Sequence, residues 1–79
     1  MKIKVFVNLK PEILDPQGEA ILHSLKSLGF KEITKVRQGK VIELEIKETN
    51  KKAALKQANQ MCKKLLANVV VEDYQIEIV

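Results

Sequence analysis

Lys2-Ile3-Lys4-Val5-Phe6-Val7-Asn8-Leu9 decides the fold class of this chain. Ile3, Val5, Val7 and Leu9 alternate with Lys2, Lys4, Phe6 and Asn8, the period of two that sends successive side chains to opposite faces of a strand. A strand that is apolar on one face needs a second layer to bury that face. Pro11 ends the run, because proline has no N–H to give to a ladder.

The next segment, Leu14-Asp15-Pro16-Gln17-Gly18, starts a helix. Asp15 suits the N-cap, where a carboxylate accepts from free backbone N–H groups of the first turn. Pro16 fits the first helical position, where its missing donor costs nothing. Gly18 is the anomaly, since glycine inside a helix costs roughly 0.5–1 kcal/mol relative to alanine. On a helical wheel it lies between Leu22 and Leu25, within the apolar arc of Ile21, Leu22, Leu25 and Leu28. A tight approach of the helix start to the sheet explains it, and Gly29 closes the helix with a left-handed cap.

Residues Glu32 to Gln38 read as a second strand of weaker pattern, and Gly39-Lys40 as a tight turn. Val41-Ile42-Glu43-Leu44-Glu45-Ile46-Lys47 alternates strictly, so the pair predicts a hairpin. Asn50 caps a helix over Lys51 to Leu66 with Ala54, Leu55, Ala58, Met61, Cys62, Leu65 and Leu66 on one broad arc. Asn68 stops it, and Tyr74, Ile76 and Ile78 alternate in a last strand. The order is βαββαβ, which resembles a ferredoxin-like plait: an α+β fold with a mostly antiparallel sheet and two helices on one face.

The 79 residues form one domain, 1–79, and a chain this short buries only about 60% of its unfolded surface. Association is therefore a natural source of further stability. The outer sheet face would carry Lys4, Phe6, Val41, Glu43, Glu45, Gln75 and Glu77, mixed enough to be solvated or to self-associate. The longest apolar runs, such as Val69-Val70-Val71, are too short to span a membrane. The first residues read as a strand rather than a secretory signal, and the lone Cys62 has no disulfide partner within the chain. A cytoplasmic protein is expected.

The residues offer little chemistry of their own. One cysteine and one histidine fall short of a metal-ligand cluster. His23 sits on the polar face of the first helix and reads as solvated; Cys62 falls within an apolar arc, where a thiol is a small hydrophobe. Glu43 and Glu45 share a strand face, as outer-face carboxylates do, and Glu72-Asp73 is a short acidic patch. No nucleophile elbow or phosphate loop is present. The net charge of +4 and the Lys52, Lys56 and Lys63 stripe on the second helix allow an alternative, a small basic RNA-binding plait. Its usual aromatic motif is missing, and only Phe6 and Tyr74 fall on strands. Arg37-Gln38-Gly39-Lys40 gathers the only arginine, a turn and a lysine, a tip suited to a carboxylate, a phosphate or an acidic partner.

Taken together, Leu14 to Gly18, Ser27-Leu28-Gly29-Phe30, Arg37 to Lys40, Glu43-Leu44, and Met61 to Asn68 through Val71-Glu72-Asp73-Tyr74 resemble the PurS family. PurS is the small subunit of phosphoribosylformylglycinamidine (FGAM) synthase, and the resemblance runs along essentially the whole chain. The lysine-rich second helix is its least typical part. The resemblance implies a non-catalytic subunit that self-associates as a dimer or tetramer. It implies a bridge between a glutaminase subunit and a large synthetase subunit, so that ammonia passes between them. It implies no cofactor on this chain, with ATP and Mg used by the complex, and no nucleic acid. The residues expected at partner interfaces are Asp15, Pro16, Gln17 and Gly18 in one region and Arg37, Gly39 and Lys40 in another, with Asn68 at the second helix exit.

Overall fold

The computed structural model describes residues 1–79. The elements are β1 (Lys2–Leu9), α1 (Pro16–Ser27), β2 (Gly39–Glu45), α2 (Lys51–Met61), a single π-helical turn (Cys62–Leu66) and β3 (Glu72–Ile78). β1 is the central strand of an antiparallel sheet of order β2-β1-β3. Its register pairs Val5 with Ile42 on one side and with Ile76 on the other. The α+β class and the antiparallel sheet follow the alternation of the sequence.

The core forms where β1 meets α2. Ile3, Val5 and Val7 are buried against Ala54, Ala58 and Cys62, with Ala67 beside them. Ala54, Ala58 and Cys62 lie four residues apart, so they form one ridge of small side chains on which the helix can approach the sheet closely. The arc is narrower than expected: Leu55, Met61 and Leu65 are exposed. The helix also changes pitch before its end. Ala67 N–H donates to the Cys62 carbonyl at 3.0 Å, a five-residue step that lets Leu66 turn toward the core.

Two expectations are corrected. Residues 32–38 form no strand, so the sheet has three strands rather than four and no hairpin at Gly39-Lys40. Gly39 instead starts β2 opposite Asn8, and the strand pairs with β1. Second, α1 contributes nothing to the core. Gly18 is its one buried residue, while Ile21 and Leu28 are exposed and Leu22 and Leu25 half-buried. The molecule is accordingly long, 48 × 25 × 14 Å, with a Cα radius of gyration of 15.9 Å. A compact chain of this length would have about 12 Å.

Candidate partner-docking site

The two regions read separately in the sequence meet at one end of the sheet, and Asp15 joins them. It is the N-cap of α1, with Oδ1 accepting from Gly18 N–H at 2.9 Å. Its other oxygen, Oδ2, accepts from Gln38 N–H at 2.7 Å. One carboxylate thus caps the helix and pins the segment leading into β2. These two backbone donors, with the nearby Arg37 charge, outweigh burial and hold the Asp15 carboxyl below its ordinary range.

Arg37 is the second clasp. Its Nη1 donates to the Ile13 carbonyl at 2.9 Å, and its Nη2 to the carbonyls of Lys10 at 2.9 Å and Leu9 at 3.3 Å. The guanidinium, whose fork suits anions, is committed to backbone oxygens of the β1–α1 connection. Gly18 and Gly39 permit the close packing around these clasps. A Cβ on Gly18 would stand 2.4 Å from the Val36 carbonyl oxygen, and one on Gly39 would stand 2.8 Å from that of Val7. The Gly18 anomaly is therefore steric, as the wheel suggests, but its neighbour is the segment before β2 rather than the sheet.

Around this framework lies a polar cleft lined by Leu9, Asp15, Gln17, Gln38, Lys40 and Glu72. Gln38 Nε2 donates to Gln17 Oε1 at 2.8 Å across its mouth, and both side chains are exposed. Pro16 and Lys40 are exposed beside them. Asn68 belongs to the adjoining turn: its Oδ1 accepts from Val70 N–H, and its own N–H donates to Glu72 Oε1 at 2.7 Å. Lys10 N–H ties that turn to the end of β1 through the Val71 carbonyl. Seven of the eight expected interface residues, Asp15, Pro16, Gln17, Gly18, Arg37, Gly39 and Lys40, belong to one cluster, and Asn68 stands at its border. Asp15, Gly18, Arg37 and Gly39 build the site; Pro16, Gln17 and Lys40 face outward.

Gln38 and Glu72 complete the cleft and are not among the eight expected interface residues. Gln38 lies 21 residues from Gln17 in the chain, and no local pattern signals a side-chain pair at that separation. Elsewhere, Cys62 is fully buried and burial pushes its thiol up, away from nucleophilic use. Tyr74 faces inward, where its hydroxyl donates to Asn59 Oδ1. Phe6 is then the one aromatic on the open sheet face. No group of three or more His, Cys, Asp or Glu side chains could hold a metal ion.

The fold and this site define a small α+β protein with a clasped polar cleft at one end of its sheet. The family model of PurS, phosphoribosylformylglycinamidine (FGAM) synthase, matches residues 2–79. The PurS subunit of Bacillus subtilis is 46% identical over 77 residues, covering 98% of this chain and 90% of that protein. That of Mycobacterium leprae is 49% identical over 72 residues, covering 91% and 87%. Among solved structures, PurLQS from Thermotoga maritima contains a chain that superposes with a TM-score of 0.90 at 33% identity, covering 99% of this chain and 95% of that one. The chain belongs to the PurS family of FGAM synthase subunits.

Proposed function

We propose that this chain is the small, non-catalytic subunit of a cytoplasmic FGAM synthase in purine biosynthesis. In this reading it self-associates and bridges a glutaminase subunit and an ATP-dependent synthetase subunit. The observation that carries the proposal is the full-length match to PurS chains, one of them within a PurLQS structure. The bridge holds the two larger subunits in register, so that ammonia released by one reaches the other without entering solvent. ATP and Mg are used by the complex rather than held by this chain.

The arrangement of surfaces supports the reading. Only nine of 79 residues are buried, so much of the apolar surface has to be covered by association. The Gln17–Gln38 pair and Lys40 offer directional polar groups on a clasped, pre-organised framework, which lowers the entropy lost on docking. The test is reconstitution of the two larger subunits with glutamine and ATP, with and without this protein. Glutamine-dependent FGAM formation is expected only in its presence; full activity without it overturns the proposal.

A further inference from the structure

The positive charge of the chain is gathered on one helix. From Lys51 to Leu66, α2 and its π-helical turn hold five of the fourteen Lys and Arg residues and none of the ten Asp and Glu. The remaining residues hold nine cations against ten carboxylates, so without this helix the chain would be slightly acidic. All five lysines are exposed. On the wheel Lys52, Lys56 and Lys63 stand on the side away from the Ala54, Ala58 and Cys62 ridge. They form a stripe about 16 Å long that looks out from the sheet.

This placement costs the helix stability. Asn50 caps α2, and Lys51 and Lys52 follow in a first turn that holds no acidic residue. The positive end of the helix dipole sits there, where carboxylates rather than ammonium groups are stabilising. Lys52 and Lys56, four residues apart, add a like-charge repulsion. Lys63 and Lys64, in the π-helical turn at the far end, do suit the dipole. Local rules broken together on one exposed face point to a role outside the chain. The opposite face of the molecule has the other sign. Glu43, Glu45, Asp73 and Glu77 stand on the open side of the sheet with Lys2 and Lys4, and Lys4 lies between Glu43 and Glu77 in the register.

We infer that the lysine stripe of α2 is a steering surface, which brings this subunit onto an acidic patch of one of the two larger subunits with the helix face leading. The inference rests on the complex proposed above and says which face of this chain meets a partner and by what chemistry. Exposed charges of this kind add long-range attraction and orientation. They act on the rate of association and on its salt dependence more than on the lifetime of the complex. The two-sided charge makes the encounter directional, because the patch that attracts α2 repels the carboxylates of the sheet face. It also favours a bounded acidic patch on a protein over a nucleic acid. A polyanion longer than the stripe runs past it onto a chain whose remaining charge is slightly negative.

The test is the rate at which this chain associates with the two larger subunits, measured at about 50 mM and about 500 mM salt. The wild-type rate is expected to fall about tenfold or more over that range. The triple variant Lys52→Glu, Lys56→Glu, Lys63→Glu is expected to associate at least about tenfold more slowly at low salt and to approach the wild type at high salt, where the charges are screened. Circular dichroism and light scattering check that the variant keeps its helix content and the wild-type mass. Should it not, Lys56→Gln takes its place, with a smaller slowing in the same direction. Equal low-salt rates for wild type and variant overturn the steering surface while leaving the bridging subunit intact. A wild type that binds the larger subunits at neither salt concentration overturns both. A wild type that binds poly-uridine RNA more tightly than the larger subunits at low salt, and loses that binding in the variant, overturns the acidic-protein partner in favour of a nucleic acid.

Discussion

Asp15 and Gln38 stand 23 residues apart in the chain, yet Asp15 Oδ2 accepts from Gln38 N–H at 2.7 Å while Oδ1 of the same carboxylate caps α1. Replacing Asp15 by Asn separates these two duties. The amide of Asn can still cap the helix through its one oxygen, but its NH2 group cannot accept from Gln38. Asp15→Ala loses both bonds. Melting temperature is expected to fall in the order wild type, Asp15→Asn, Asp15→Ala, and equal loss in the two variants would show that the cap alone matters.

Acid should reproduce the first of these losses. The Asp15 carboxyl has its affinity for a proton reduced in the folded state by the Gln38 and Gly18 donors. A group whose folded pKa is depressed adds stability that is fully present above its unfolded pKa, about 4, and is lost as pH falls through the folded value. Urea unfolding between pH 7 and pH 2 is expected to show a stability drop beginning below about pH 4 that is smaller in Asp15→Asn, which cannot titrate there.

Much of this architecture is legible in the sequence because it is local. The alternation of Ile3, Val5 and Val7, the caps at Asp15 and Asn50, and the left-handed Gly29 at φ 104° all appear where their residue types require. The strand over residues 32–38 failed for a different reason. Its residues suit a strand, but a strand exists only when paired, and β2 pairs with β1 instead. The apolar arc of α1 is a true pattern, but amphipathicity does not name the surface that will cover it. At the site, the cap was visible and its second bond was not, because the Asp15–Gln38 contact joins positions with no common period.

Gly18 and Gly29 should respond differently to alanine. At Gly18 the new Cβ would lie 2.4 Å from the Val36 carbonyl oxygen, so backbone must move. Gly18→Ala is expected to destabilise by about 1–3 kcal/mol and to loosen the segment before β2 from α1. At Gly29 nothing lies within 4 Å, and the cost is conformational alone, about 1–2 kcal/mol for a left-handed alanine. Hydrogen exchange separates the two: Gly18→Ala should speed exchange at the Gln38 amide, and Gly29→Ala should leave it unchanged.

Tyr74 links β3 to α2 through its hydroxyl and Asn59 Oδ1, both half-buried. Tyr74→Phe keeps the ring but leaves the Asn59 oxygen without its donor. The expected loss is about 1 kcal/mol of unfolding free energy, measured by urea titration, with the oligomeric mass unchanged. A change of mass would mean that this side of the sheet takes part in association.

Arg37→Lys distinguishes a geometric clasp from a mere positive charge. One guanidinium reaches the carbonyls of Leu9, Lys10 and Ile13, whereas an ammonium is a point donor on a flexible stem and cannot span the same three oxygens. The bonds are exposed, so the loss in stability should stay within about 1–2 kcal/mol and the chain should remain folded. The consequence for docking is larger, because the connection after β1, the segment before β2 and the Gln17–Gln38 pair are positioned together. Titration of the variant into the reconstituted larger subunits should require about tenfold more protein for half-maximal glutamine-dependent synthesis, the equivalent of 1.4 kcal/mol. An unchanged titration would show that charge at position 37 suffices and that the three-carbonyl clasp does not position the docking surface.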